Sequence, residues 1–557
     1  MKKMRSILAL LLALTLSLSL TACGGGTKPG NDTSDPAPGG AQANREEGSL
    51  IFSIDWPAYI DPGVGNKAAD MVAHLNLYDT LTFPLSDGTV APLLAESWEA
   101  NSEATEYTFH LVENAKFHSG NPVTAQDVKF SMDRLLAMGE GYAYLFSNIA
   151  STEVVDEHTI KFTLSESSGA LPNILIRLYI LEEAVVMEHI DAGGAYGEFG
   201  DYGKAWLTTN DAGSGPYTVR EMRMEDSLTM VRVEDYWGGW TENPNAPKVV
   251  IALGNVDATT VKTMVSRNEL DITSNTLTKE TLDSVAAVSG MALVRAKSGL
   301  SMNIALNTKV APTDDIHFRK AMAYALDYDT VSTSIYPDST QPTGPIVSGA
   351  ACALKQEDNP YTFDLDKAVA ELKQSPYYQE LTSGSMVVSL TYCSEGGQPQ
   401  EQLALLMQAG LAAIGVKCEI TAKPFANMMT DAATVETTPN ASFIVYSPSY
   451  MEGGSFLKPR YHSSSSGTWE QMEWLLDDEL DAEIERAMNI VDEDERNAAY
   501  IQICKELVEL CPTIWACDVA SSYAYRSDYM RIPSVEAGYD ALYCADYMMY
   551  YRDYTLK

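Results

Sequence analysis

Residues 92–136 of the chain, PLLAESWEANSEATEYTFHLVENAKFHSGNPVTAQDVKFSMDRLL, change their hydrophobic period once and sharply. Tyr107, Phe109 and Leu111 alternate with Thr108 and His110, the pattern of a half-buried strand. Gly120, Asn121 and Pro122 make a turn. Thr124 with Asp127 three positions on reads as a helix N-cap with an acidic partner. Val128, Met132 and Leu135 then fall on one helical face. The spacing predicts strand, turn and capped helix, and so a mixed α/β fold.

At 557 residues the chain is too long for one core, and two or three lobes are expected. Its net charge of −38 argues against nucleic acid, whose phosphates require Lys and Arg, and against a basic membrane-binding face. The charge fits the self-repelling surface of an exported protein, or a site for cationic ligands. Nothing here assembles a catalytic set. Gly213-Ser214-Gly215 lacks the spacing of a nucleophile elbow, there is no H-E-x-x-H, and the seven histidines are scattered. No enzyme is expected from these residues, and no cofactor or metal site; a hydrolase or a surface adhesin is the remote alternative.

Lys2, Lys3 and Arg5 precede an apolar run from Ile7 to Leu20, too short for a good transmembrane helix. Leu20-Thr21-Ala22-Cys23 follows. This resembles a bacterial lipoprotein signal, which implies removal of residues 1–22 and a lipid on Cys23. Residues 23–49 are rich in Gly, Pro, Asn, Asp and Ser and are expected to form a flexible tether. Such a tether spans on the order of 25–30 Å. The body is thus placed outside the cell, anchored to the membrane.

Seven of the eight cysteines lie beyond Cys23, an odd number that leaves at least one unpaired. Cys418 alternates with Val416 and Ile420 and reads as a buried strand thiol. A Cys504–Cys511 or Cys511–Cys517 bridge is the alternative to free thiols. Further helices are predicted over residues 69–81, 313–330 and 402–414, the last closed by Gly415. Residues 477–496 are expected as a solvated acidic helix pair with Leu480, Ile484 and Met488 turned inward.

Several short motifs stand in a fixed order. They include Asp61-Pro62, Leu77-Tyr78-Asp79-Thr80-Leu81, Gly213-Ser214-Gly215-Pro216-Tyr217, Tyr236-Trp237 and Asn303-Ile304-Ala305-Leu306-Asn307. The run from Phe318 to Asp327 and Ala413-Ile414-Gly415-Val416 follow. Together with residues 92–136 the set resembles the family 5 solute-binding proteins of ABC importers, the peptide- and nickel-binding group. The resemblance implies a periplasmic-binding-protein-like fold: two lobes with a hinge, plus a small inserted domain. Its expected boundaries are 50–75 and 205–297 with 510–557 for the first lobe, 76–204 for the inserted domain and 298–509 for the second lobe. It also implies a monomeric receptor that closes on a di- or oligopeptide and hands it to permease subunits driven by cytoplasmic ATPases. A nickel complex or an oligosaccharide is the alternative ligand.

In peptide-binding members an aspartate holds the ligand's α-amino group. The stretch similar to that segment here is residues 446–453, and Ser449 stands at the aspartate position, with Glu452 at the second acidic position. Either Glu452 supplies the charge from three residues away, or the ligand is not a free-amine peptide; Tyr446 and Tyr450 lie beside it as candidate contacts. Asp55 and Trp56, the aromatic loop Tyr142, Tyr144 and Phe146, the crossover residues Ser301, Met302 and Asn303, and Trp515 with Asp518 complete the candidate ligand contacts.

Overall fold

The computed structural model describes residues 45–54, 56–538 and 547–557; Cys23, the tether up to residue 44, Asp55 and Cys544 lie outside the described residues. In chain order the strands are β1 (Ser49–Ile54), β2 (Thr82–Pro84), β3 (Val90–Pro92), β4 (Ala95–Ala100), β5 (Glu106–Leu111), β6 (Ile149–Asp156) and β7 (Thr159–Leu164). They continue with β8 (Tyr217–Arg223), β9 (Ser227–Arg232), β10 (Val249–Gly254), β11 (Met291–Leu306), β12 (Val388–Cys393), β13 (Cys418–Lys423), β14 (Ala441–Tyr446) and β15 (Thr513–Arg526).

β2 and β3 pair only with each other, and three larger sheets organise the rest. One runs β1-β10-β9-β8, with β1 parallel to β10. A second, antiparallel throughout, runs β4-β5-β7-β6. The third runs β13-β12-β14-β11-β15 and is mixed, β12 lying parallel to both β13 and β14. The second sheet has its own core, in which Phe109 and Phe162 meet Val128 and Met132 of the helix Ala125–Met138. That helix carries the expected capping box: Asp127 accepts from the Thr124 backbone N–H at 3.0 Å and from its hydroxyl at 2.7 Å.

β11 and β15 are unusually long and pair with each other along most of their length. Their far halves belong to the third sheet. Their near halves reach the first, where Tyr525 bridges Ile272 and Ile272 bridges Phe52 of β1. Between the halves the register breaks: Lys297 faces Ala520 and Leu300 faces Val519, so Ser298 and Gly299 are extra. Gly299 takes a φ of +72, a backbone region glycine enters at little cost.

The motifs of the sequence converge. The Asp79 carboxylate accepts from Trp237 Nε1 at 2.7 Å, Ser214 Oγ at 3.0 Å and Tyr236 Oη at 3.0 Å. A side chain at Gly213 would collide with the Leu77 carbonyl, which explains the glycine beside Ser214. Arg134 grips Asp61 with two nitrogens, at 2.8 and 2.6 Å, and donates Nε to the Tyr202 carbonyl. Both members of this pair are buried. A charge pair of this kind persists only when every donor and lone pair is occupied.

Several expectations change. The helix predicted over 69–81 is Ala68–Leu77, because Tyr78 turns to extended backbone and delivers Asp79 to its donors. The helix predicted over 313–330 is Ile316–Ala325, with Leu326 again extended. The acidic stretch is two helices, Asp478–Met488 and Glu493–Leu510, with Leu480 and Ile484 inward and Met488 only half-buried. Neither cysteine bridge forms: Cys504, Cys511 and Cys517 are free, buried thiols, and Cys418 is half-buried at the start of an edge strand.

Candidate functional site

Side chains on directly opposed strand residues share a face of the sheet. Ser301 of β11 faces Tyr446 of β14 on one side and Asp518 of β15 on the other. Thr340 adds a fourth member, its backbone exchanging hydrogen bonds of 2.9 and 3.2 Å with Asp518. The result is one polar row, Thr340–Asp518–Ser301–Tyr446, crossing the sheet beside the register break. Asn303, two residues along, lies on the same face opposite Trp515. Five of the candidates are thus brought together: Ser301, Asn303, Tyr446, Trp515 and Asp518.

Their local bonds differ in completeness. Trp515 donates to the Tyr461 hydroxyl at 3.0 Å, and Tyr446 donates to the Ser455 carbonyl at 2.6 Å. Asn303 donates to the Ser301 carbonyl at 3.2 Å and hydroxyl at 2.8 Å, leaving its own Oδ1 without a partner. Asp518 accepts from the Ser348 N–H at 2.9 Å through Oδ2, and its Oδ1 is unpartnered. Burial pushes the Asp518 carboxyl up to about 6, against the pull of Ser348. Met302 points to the opposite face, into the main core.

A second group forms around Ser449. Its hydroxyl lies 2.7 Å from the hydroxyl of Tyr144, an exposed aromatic, and its carbonyl accepts from Arg177 Nε at 2.7 Å. The Arg177 guanidinium lies 5.0 Å from the centre of the Tyr142 ring, within cation–π range. Arg177 carries no motif, and its one advance signal is a lone charge inside the apolar run LPNILIRLYIL. Thr340 gave no signal.

The remaining candidates serve the scaffold. Tyr450 and Phe146 are packed into the core of the second sheet. Trp56 lies against Gly254 at the end of the β1–β10 pair. Glu452 caps the helix Gly453–Tyr461 by accepting from Gly454 N at 2.7 Å, and Arg496 Nε donates to it at 3.2 Å. Each of its oxygens thus has a partner within the protein, and the side chain is buried against Arg496.

Residues 89–468 match the family described as bacterial extracellular solute-binding proteins, family 5 Middle. The chain belongs to this family. It is 26% identical over 486 residues to the probable D,D-dipeptide-binding periplasmic protein DdpA of Escherichia coli (strain K12), covering 85% of this chain and 87% of the relative. It is 26% identical over 518 residues to heme-binding protein A of Haemophilus influenzae, covering 87% and 89%. Among solved structures, the ABC transporter substrate binding protein CtaP of Listeria monocytogenes superposes with a TM-score of 0.75 at 19% identity, over 92% of this chain and all (100%) of that one. The fold is therefore that of the periplasmic binding proteins, and the relatives are binding proteins rather than enzymes. As a family 5 protein the chain is an extracytoplasmic solute receptor, and among the described residues no helix is long and apolar enough to cross a membrane.

Proposed function

We propose that this protein captures short peptides outside the cell and delivers them to the permease of an ABC importer, acting as a monomer held to the membrane by a lipid on Cys23. One observation carries the capture step: the β11–β15 ribbon links the first sheet to the third and breaks register at Ser298–Gly299. A two-strand link with such a break is where two lobes bend relative to one another. Residues 50–75 and 205–297 form one lobe together with the chain from Ala520 onward; residues 298–519 form the other, because Thr513–Val519 pair with β11 in the third sheet rather than joining the first lobe from residue 510; residues 76–204 are the inserted domain.

The polar row beside the break favours a polar, hydrogen-bonding ligand over a flat apolar one. This agrees with the dipeptide named for the Escherichia coli relative rather than the heme named for the Haemophilus one. Closure needs a ligand that binds the closed form better by several kcal/mol. The test is thermal denaturation against di- to pentapeptides. A binder at about 100 times its dissociation constant adds roughly 2.7 kcal/mol. Stabilisation by peptides and not by heme or nickel supports the reading; stabilisation by heme or nickel alone overturns it.

A further inference from the structure

We propose that Asp518, with Asn303 and Thr340, forms the subsite that holds the primary ammonium group of the ligand, taking the part that Ser449 and Glu452 leave vacant. The inference rests on the receptor reading and specifies its chemistry.

Three buried oxygens on one face of the sheet lack hydrogen-bond partners: Asp518 Oδ1, Asn303 Oδ1 and Thr340 Oγ1. Asp518 is 5% exposed and Asn303 1%. Buried polar atoms in folded proteins are nearly always satisfied, by protein, solvent or ligand, so three such acceptors on one face suit an occupant that donates hydrogen bonds. Register places them close. Thr340 and Asp518 are a directly hydrogen-bonded backbone pair, Asp518 faces Ser301, and Asn303 is bonded to Ser301. Opposed side chains in such pairs start about 5 Å apart at Cβ.

The chemistry of the occupant follows from direction. The Asn303 amide orientation is fixed, because the Ser301 carbonyl can only accept and must meet Nδ2. Its free atom is then an acceptor. The free Asp518 oxygen is an acceptor carrying charge, and the Thr340 hydroxyl can accept as well. A group with three N–H donors and a positive charge satisfies all three and also meets the Asp518 charge, which a neutral donor does not; an anion or an apolar group satisfies none. Asp518 also lacks a protein counter-ion. Among the described residues no Lys or Arg pairs with it, and Lys297 acts on it from beyond ion-pairing distance. Glu452, by contrast, has Arg496. An unpaired buried carboxylate is costly, and a ligand ammonium offsets that cost at the moment of binding. The site adjoins the register break at Ser298–Gly299, so a ligand held there touches the link between the two sheets.

The test is calorimetric titration of the full protein and of Asp518→Asn, which keeps the shape and removes the charge. The probes are a mixed di- to tetrapeptide library, the same library N-acetylated, and a set of free amino acids and short diamines. The expected result is binding of the unmodified library by the native protein, loss of about 100-fold on N-acetylation, and a similar loss in Asp518→Asn. Circular dichroism checks that the variant is folded; if it is not, Thr340→Val replaces it, with an expected loss of about 10-fold. Equal binding of free and acetylated peptides, or full affinity in the folded variants, overturns the subsite and leaves the peptide reading standing. Binding of neither library, but of amino acids or diamines in a manner dependent on Asp518, overturns the peptide reading and keeps the subsite. Binding of no primary amine at all overturns both.

Discussion

The indole N–H of Trp237 donates to Asp79 Oδ2 over 2.7 Å, and this bond joins two sequence motifs 158 residues apart. Ser214 and Tyr236 donate to the same carboxylate. Asp79→Ala removes one acceptor and strands three buried donors, each worth about 1 kcal/mol or more. A loss of about 3–4 kcal/mol in urea denaturation is expected, while Trp237→Phe, which strands none, costs less.

The same group makes stability depend on pH. Burial pushes the Asp79 carboxyl from 3.8 up to about 6, more than its three donors pull it down. The folded protein therefore holds a proton there that the unfolded chain releases near 3.8. This contribution is complete below pH 3.8 and is lost as pH rises through about 6. The stability difference between the native protein and Asp79→Asn should change by about 2–3 kcal/mol between pH 4 and pH 7. A constant difference contradicts the assignment.

His74 works in the opposite direction. It is wholly buried, its Nε2 lies 2.9 Å from the Tyr59 carbonyl, and its Nδ1 has no partner. Burial pushes the imidazole from 6.5 down to about 4. The fold holds it neutral, so its contribution is present above pH 6.5 and is lost as pH falls towards 4. His74→Gln should denature with a midpoint less sensitive to pH in that window, by about 3 kcal/mol at its lower end.

Breaking the Asp61–Arg134 pair tests how the inserted segment is held. Arg134→Ala leaves a buried carboxylate uncompensated and should cost about 3–5 kcal/mol. The double variant Asp61→Asn with Arg134→Met should recover part of this. Equilibrium denaturation of the three proteins gives the coupling directly.

How far the sequence reached depends on the range of the interaction. The capping box at Thr124 and Asp127 was legible because both groups lie within one helical turn. The alternation at Tyr107 to Leu111 was legible because one face of β5 is buried. The ends of the helices at Leu77 and Ala325 were not, since tertiary hydrogen bonding rather than propensity stops them. The motifs marked the family, but what they do, converging on Asp79 and Asp61, required the fold. The partners of Ser449, Tyr144 and Arg177, lie 305 and 272 positions away, beyond any local pattern. That Glu452 is engaged within the protein depends on Arg496, 44 positions away. The row through Asp518 depends on strand register across Thr340, Ser301 and Tyr446, which no local pattern encodes.

Gly299 offers a test of the hinge. Its φ of +72 and its closeness to Met451, whose sulfur would sit 2.9 Å from an added Cβ, leave little room for a side chain. Gly299→Ala should cost about 1–2 kcal/mol of stability through left-handed strain. It should also weaken ligand binding more than Gly120→Ala, where nothing lies within 4 Å of the new methyl. Calorimetric titration of the two variants separates the effects.

The most direct measurement is native mass spectrometry of the protein purified without denaturant. A receptor that closes on short peptides should carry one, adding a discrete mass that acid releases and fragmentation reads as a peptide with a free amine. A bound species without peptide bonds, such as heme or a nickel complex, would contradict the account.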